Sequence, residues 1–328
     1  MRAADRKRFA RVLGACVAIL LAAFVLRLLC GAMGYGWPEP RILGIRLQRA
    51  VLACLVGAAL STGGVILQSL LRNPLAEPYI LGVSTGAGLG ILAQLYLVQL
   101  QLIGPAPDHV GGLLGALASL AIVYVAGRRH GVLDPLGLLL VGVVLATING
   151  ALITLLQYLS SQTLRENLAY WMMGYLNESL PRPTVYAAAI IIAVCVALAA
   201  IFHRAMDLAA LSDAEAVSLG LALARCRTIL FLAAGALTAA AVVLAGPIAF
   251  VGFIAPHLVR LWAGPLHSRV LPASMLIGAA IILTADSLST IIHMHTGIGT
   301  PPIGVFTAVL AGPLFLWMLR PQLGRGVE

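Results

Sequence analysis

Charged residues are scarce in this sequence. They make up 10% of its 328 residues, aromatic residues 6%, and hydrophobic residues 61%. A soluble domain of this length does not need so much apolar surface, so the composition excludes a soluble globular protein. It indicates a polytopic membrane protein.

The motifs of two common kinds of site are also missing. The five cysteines include no CxxC pair, so we expect them to pack as small apolar side chains rather than to bind metal or form disulfides. No GxxxxGK[ST] loop occurs, and the glycine-rich stretch 86–90 follows no predicted strand. We therefore expect that this chain is no enzyme and holds no cofactor and no metal of its own.

What the sequence does contain is a series of apolar runs. Each is near the roughly 20 residues that cross the hydrocarbon core of a bilayer. The eighth is short and interrupted by Pro256, and counting it gives ten helices in a single domain, 1–328. The runs are Val12–Met33, Leu47–Leu71, Tyr79–Leu100, Gly111–Gly127, Leu136–Ser160, Thr184–His203, Arg227–Gly246, Ile248–Ala263, Val270–His293 and Ile303–Leu319.

Basic residues divide unequally between the two ends of these runs. With the N-terminus inside, fifteen Lys and Arg residues fall on inner segments and five on outer segments, while Arg27 lies within a span. The positive-inside rule therefore places both termini in the cytoplasm, and it explains the net charge of +9 without nucleic acid. Without the eighth helix, Arg320 and Arg325 would lie outside, which supports the count of ten.

A polar hinge, Arg72–Pro78, separates the second and third runs. Pro74 and Pro78 remove backbone donors and disfavour helix at the residues before them, so we expect the helix to break here. Beyond the hinge, Gly82, Gly86 and Gly90 recur every four residues. This spacing predicts one helix face that a neighbouring helix can approach closely.

Two segments between runs are predicted to be short helices outside the membrane. In the inner loop 204–225, Ser212 and Glu215 form a capping-box pattern and Gly220 is a helix terminator, which predicts a helix over Asp213–Leu219. This helix is either a solvated connector or a segment that inserts into a cytoplasmic partner. On the outer side, Ser161–Pro183 is predicted to include an interfacial helix.

The stretch Gly246–Arg260 combines glycine and proline with an apolar run. Such a stretch implies irregular backbone that is buried in protein or lines a wet path. His257 is a candidate ligand or proton carrier, although an intramembrane histidine beside a proline more often caps exposed carbonyls, and we favour that interpretation. The packing and irregular-backbone candidates are Pro74, Pro78, Gly82, Gly86, Gly90, Gly246, Pro247, Gly252, Pro256 and His257.

Taken together, these motifs resemble the permease subunits of ABC importers for iron–siderophores, haem and cobalamin, the FecCD-like family. The run GPIAFVGFIAPHLVR from Gly246 to Arg260 is similar to a family signature, as are the hinge and the segment Gly299–Gly304. The resemblance implies an all-α permease of ten helices in the bacterial inner membrane. It also implies a homodimer, two ATP-binding subunits that carry ATP and Mg, and one periplasmic substrate-binding protein.

The resemblance assigns roles to particular residues. Thr290 stands where the family often has a third docking arginine. His293, Met294 and His295 near the outer mouth are either haem or metal contacts or a polar helix end, and we favour the polar end. The implied roles are ATPase coupling for Ser212, Asp213, Glu215, Ala216, Leu219 and Gly220; the cytoplasmic gate for Asn73, Leu75, Asp134 and Pro135; and binding-protein docking for Arg46 and Arg49.

The resemblance does not distinguish siderophore, haem and cobalamin as cargo. From the residues alone, a channel and an ion- or proton-coupled secondary transporter are the rival classes. A proton-coupled carrier needs membrane-embedded carboxylates, and here the candidates are Asp286 and Asp134.

Overall fold

The computed structural model describes residues 3–31, 34–129, 131–297 and 299–323. Arg2 and Met33, and Arg325 near the C-terminus, lie outside the described residues. The described chain is a helical bundle whose α-helices are α1 (Ala3–Leu29), α2 (Pro40–Leu70), α3 (Val83–Gln99), α4 (Asp108–Ala126), α5 (Pro135–Leu159), α6 (Gln162–Met172), α7 (Arg182–Ile201), α8 (His203–Ala209), α9 (Asp213–Ser218), α10 (Leu223–Ala245), α11 (Val251–Ala263), α12 (His267–Thr296) and α13 (Ile303–Leu323).

The ten predicted apolar runs all form helices. Seven of them, α1, α2, α4, α5, α7, α10 and α12, are long and apolar enough to cross a membrane. Shorter apolar helices are α3, α11 and the segment Ile303–Pro313 of α13. The other three described helices, α6, α8 and α9, lie in the two segments between runs. The helix in 161–183 is therefore confirmed as α6, while α8 was not predicted.

Several helix boundaries differ from the sequence prediction. α1 already begins at Ala3 and ends at Leu29, and α2 begins at Pro40 instead of Leu47. The reason for the early start of α2 is that proline is well suited to the first helical position, where its missing N–H has no intrahelical partner to lose.

Two short antiparallel strand pairs turn the chain between helices. Strands β1 (Cys30–Gly31) and β2 (Gly34–Tyr35) pair between α1 and α2, and β3 (Arg128–Arg129) and β4 (Val132–Leu133) pair between α4 and α5. The second pair directly precedes Asp134, which begins α5 as its N-cap.

The prolines of the hinge end α2 as expected. After Leu70 the chain runs without α-helix to Glu77, a 3-10 helix covers Pro78–Leu81, and α3 follows. Gly82 lies between the two helices with φ of +70°, a conformation that glycine adopts without strain.

The glycine prediction is correct for two of its three residues. Gly86 and Gly90 in α3 face Gly115 and Gly111 in α4 so closely that a Cβ atom would collide with the opposite backbone. Gly82 is not on that face, because it precedes the helix and packs against α5 near Gly142.

Three helices form the buried centre of the bundle. α2, α10 and α12 are buried over most of their length, whereas α1, α5 and α7 expose apolar side chains on one face. α2 has 31 residues, about 46 Å at 1.5 Å per residue, and its Gly57 and Gly64 lie against the backbone of Gly278 and Gly252. It therefore connects two ends of the bundle, which we name the α9 end, where α2 ends beside α8 and α9, and the α6 end, where α2 begins.

The predicted break at Pro256 is wrong. α11 continues through Pro256, although a proline removes the hydrogen bond to the carbonyl four residues earlier. That carbonyl, of Gly252, accepts a hydrogen bond from Nε2 of Gln68 at 3.4 Å, so a side chain from α2 supplies the missing donor. The donor is Gln68 and not His257, whose ring lies 6.1 Å from that of Phe253.

Candidate functional site: ionic clusters at the two ends of the bundle

The short helix α9 is built by its own sequence. Ser212 Oγ accepts from the backbone N–H of Glu215, and the Glu215 carboxylate accepts from the backbone N–H of Ser212, so the predicted capping box is present. The hydrogen bonds from the hydroxyl and the backbone N–H of Ser212 lower the pKa of Glu215. Gly220, with φ of +85°, follows the helix and allows the chain to reverse.

The exposed side of α9 carries apolar side chains. Val217 and Leu219 are 56% and 60% exposed, whereas Ala216 is fully buried against the bundle. The helix therefore presents an apolar outer surface between its exposed acidic first turn and Gly220.

Asp213 joins α9 to two other helices through arginines. Its Oδ1 accepts from Arg72 and, at 2.8 Å, from Arg227, and its Oδ2 accepts from Arg227 at 3.1 Å. Partial burial alone would raise the pKa of Asp213, but the hydrogen bonds and charges of Arg227 and Arg72 together lower it below its ordinary value. We call Arg72, Asp213 and Arg227 the Asp213 cluster.

The arginines of this cluster stand next to the two segments that the resemblance assigns to the gate. Arg72 immediately precedes Asn73, whose Oδ1 accepts from the N–H of Leu75 at 2.9 Å. Arg227 Nη1 donates to the carbonyl of Leu133 at 3.1 Å, and the next residue, Asp134, caps α5 by accepting from the N–H of Gly137 at 2.7 Å. Pro135 follows at the first position of α5, so all four gate candidates lie at the α9 end.

Sequence reasoning missed a carboxylate in the hinge. Glu77 accepts a hydrogen bond of 2.7 Å from the backbone N–H of Phe250, which has φ of +71°. Burial raises the pKa of Glu77 to about 7, although that hydrogen bond favours the charged form. The signal that could have identified Glu77 is that it is the single acidic residue between the two hinge prolines, with apolar runs on both sides.

Asp286 is the centre of a second cluster, at the α6 end. Its side chain is 0% exposed, and it accepts hydrogen bonds from Arg27 in α1 and from Arg49 in α2, the latter at 2.8–3.0 Å. Arg49 also pairs with Glu178, which precedes α7. We call Arg27, Arg49, Glu178 and Asp286 the Asp286 cluster. Arg27, which lies within the first span, therefore faces the interior of the bundle.

The predicted docking residues are engaged within the chain. Arg46 Nη1 donates to the carbonyl of Leu28 at 2.6 Å, and Arg49 is held by Asp286 and Glu178. Thr290, the position of the missing arginine, is buried, and its hydroxyl donates to the carbonyl of Asp286 at 3.0 Å. Only Glu178 gives the cluster a partly exposed carboxylate, with a side chain 33% exposed.

The structure does not bring the two outer histidines together. α12 continues to Thr296, so His293 and His295 are two residues apart on a helix and point in different directions. His295 Nε2 lies 3.3 Å from the hydroxyl of Tyr35. Among the described residues no group of three or more His, Cys, Asp and Glu side chains could hold a metal ion.

A further hydrogen-bonded contact that the sequence did not indicate links α8 to α12. Asp207 accepts from the backbone N–H of His267 at 3.0 Å, and the same oxygen lies 2.6 Å from Nδ1 of its ring. α8 is also held to α2, because Ser69 Oγ donates to the carbonyl of Met206 at 2.9 Å. The segment before α9 is therefore fixed to the bundle on two sides.

Comparison with known proteins agrees with this architecture. The cobalamin import system permease protein BtuC of Halobacterium salinarum is 38% identical over 291 residues, covering 88% of this chain and 76% of that protein. The hemin transport system permease protein HmuU of Yersinia pestis is 35% identical over 283 residues, covering 85% and 83%. A solved metal-chelate type ABC transporter in an inward-facing conformation matches with a TM-score of 0.83 and 28% identity, over 95% of this chain and 99% of that chain.

A family model also matches most of the sequence. The model described as the FecCD transport family matches residues 19–321. The resemblance inferred from the hinge and from Gly246–Arg260 is therefore confirmed. The chain belongs to the FecCD transport family and is a membrane-spanning permease subunit of an ABC importer.

Proposed function

We propose that two copies of this chain form the transmembrane pathway of an importer that takes cobalamin or an iron chelate, either a siderophore or haem, from a periplasmic binding protein. Two ATP-binding subunits dock at the α9 end and one binding protein docks at the α6 end. The α9 end lies in the cytoplasm, as do both termini, in a bacterial inner membrane. The fifteen-to-five division of basic residues supports this orientation.

The observation that carries the proposal is the surface of α9. The helix is capped by its own residues and presents Val217 and Leu219 to solvent, as a segment that inserts into a groove on a partner would. When ATP binds, the ATPase subunits close and move α9. This movement switches the permease between outward-open and inward-open states. Asn73, Leu75, Asp134 and Pro135 form the gate that closes the inner side.

A proton-coupled carrier is less well supported. Its candidate carboxylates are engaged, because Asp286 is held by two guanidinium groups and Asp134 caps α5. A carrier must take up and release a proton in each cycle, whereas these two carboxylates make contacts that hold helices in place.

The experiment is reconstitution with the cognate ATPase and binding protein. We expect uptake of cyanocobalamin, haemin or a ferric siderophore into proteoliposomes to need ATP, to stop with vanadate, and to continue with a protonophore. Uptake that needs a proton gradient and proceeds without the ATPase would refute the proposal. The comparison of cyanocobalamin, haemin and a ferric siderophore identifies the cargo class.

Docking of the binding protein can be tested while Asp286 keeps both of its arginines. Glu178→Gln removes the partly exposed competitor for Arg49 and leaves Asp286 in place. If a carboxylate of the binding protein contacts Arg49, the variant should bind the loaded partner several-fold more tightly at low salt, and less so at high salt. Glu166→Gln, another exposed glutamate at the α6 end, is the matched control. Unchanged affinity in Glu178→Gln would mean that Arg49 serves only the cluster.

A further inference from the structure

The Asp213 cluster is an unusual connection, because one carboxylate joins three segments that are distant in sequence. Asp213 is the first residue of α9, directly after the Ser212 cap. Arg72 and Arg227 reach it from the end of α2 and from the first turns of α10. No other carboxylate of the described cytoplasmic loop 204–225 contacts two arginines.

On the α2 side, Arg72 is fixed to both short helices. Its guanidinium contacts Asp213, and its Nε donates to the carbonyl of Ala209, the last residue of α8, at 2.9 Å. Arg72 also has φ of +49°, which non-glycine residues rarely adopt, so its backbone is held in a strained conformation. The next residue along the chain is Asn73, the first gate candidate.

On the α10 side, the connection is buried. The Arg227 side chain is 3% exposed, and its Nη1 donates both to Asp213 and to the carbonyl of Leu133. Leu133 is in β4, one residue before the Asp134–Pro135 gate segment. One guanidinium therefore bridges α9 and the start of α5.

Displacement of α9 has to act on these contacts. Gly220, with φ of +85° and open space around it, separates α9 from α10 and can act as a pivot. If α9 is pushed, Asp213 either pulls Arg72 and Arg227 with it or loses both. Because each arginine adjoins a gate segment, movement that preserves the pairs is passed to both segments together.

We propose that Asp213 is the positioning residue that transmits movement of α9 to both halves of the cytoplasmic gate, through Arg72 to Asn73 and through Arg227 to Asp134–Pro135. This inference rests on the proposed function and adds to it a route between ATPase and gate.

The test uses Asp213→Asn and Asp213→Glu in the full complex. Asp213→Asn removes the charge that holds two arginines, whereas Asp213→Glu keeps it. We expect cargo imported per ATP hydrolysed to fall about tenfold in Asp213→Asn, within the range of measured coupling between sites. Asp213→Glu should restore much of it. Asp5→Asn, a change to an exposed aspartate near the start of α1, is the matched control and should match wild type.

A second readout separates transmission from folding. Maleimide labelling of Asn73→Cys should change between nucleotide-free and vanadate-trapped complexes. This nucleotide-dependent difference should disappear with Asp213→Asn and return with Asp213→Glu. Arg72→Gln, which alters a side chain that is 29% exposed, should weaken the difference even if Asp213→Asn fails to fold.

The outcomes are distinguishable from failure of the proposed function. If the wild-type complex imports none of cyanocobalamin, haemin and a ferric siderophore with ATP, the proposed function falls, and the route with it. If wild type imports and both Asp213→Asn and Arg72→Gln keep wild-type import per ATP and wild-type labelling differences, only the route is refuted.

Discussion

The two ends of the bundle contain the same ionic arrangement, but it is buried at one end and partly exposed to water at the other. At each end one aspartate is held by two arginines from different helices, Asp286 by Arg27 and Arg49, and Asp213 by Arg72 and Arg227. The Asp286 side chain is 0% exposed, while that of Asp213 is 51% exposed.

The difference in exposure decides what each cluster can do. Water cannot hydrate charges that are buried in a membrane protein, so breaking the Asp286 cluster would leave its arginines unpaired. The cluster therefore acts as a fixed contact between helices. The side chains of Asp213 and Arg72 are partly exposed, so water compensates part of their charge and the Asp213 cluster can shift with α9 during a transport cycle.

The largest effect should follow from Asp286→Asn. Removing one partner of a buried ion pair typically costs about 3–5 kcal/mol, because the remaining charges are uncompensated. We expect a large fall in the thermal unfolding temperature in detergent, and a smaller fall in Asp213→Asn, because water can solvate Arg72 and only Arg227 is left buried. An equal fall in unfolding temperature in the two variants would refute the contrast between the fully buried Asp286 and the partly exposed Asp213.

Glu77 provides a third case to compare with Asp286 and Asp213, because its carboxylate is bound by a backbone N–H and not by arginine. Burial raises the pKa of Glu77 to about 7 in the folded protein, so protonation of Glu77 stabilises the folded state relative to the unfolded state. Its stabilising contribution is present below the ordinary value of 4.5 and is lost as pH rises through about 7. We expect the unfolding temperature to fall over that interval, and to fall less in Glu77→Gln.

The control for Glu77→Gln is Glu166→Gln, whose carboxylate is exposed. This variant should keep the pH dependence of wild type. An identical pH profile in wild type and in Glu77→Gln would show that other groups titrate in this interval.

The smallest effect is expected for Ser212→Ala. Loss of the cap removes a hydrogen bond from the first turn of α9, which costs about 1 kcal/mol in local helix stability. Faster amide hydrogen exchange confined to 213–219, with unchanged global unfolding temperature, is the expected result. If exchange in α9 is unaffected, the Asp213 cluster rather than the cap holds this helix.

Much of the architecture could be predicted because its causes are local. The ten apolar runs, the break at Pro74 and Pro78, and the cap at Ser212 depend on residues within a few positions of each other. The errors also have identifiable causes. Gly82 was placed on a helix face although it terminates a 3-10 helix, and the continuation of α11 through Pro256 depends on Gln68, which is 184 positions from the carbonyl it serves.

The sequence by itself determined that this protein spans a membrane and carries a capped helix between α7 and α10, since apolar runs, prolines and caps act over short stretches of chain. Its motifs indicated the permease family by resemblance. Only the tertiary structure decided the partners of the charges. Arg27 and Asp286 are 259 residues apart, and Arg72 and Asp213 are 141 apart. Such pairs depend on which helices pack together, and contacts such as those of Gly57 and Gly64 in α2 with α12 and α11 join residues that no local pattern brings together.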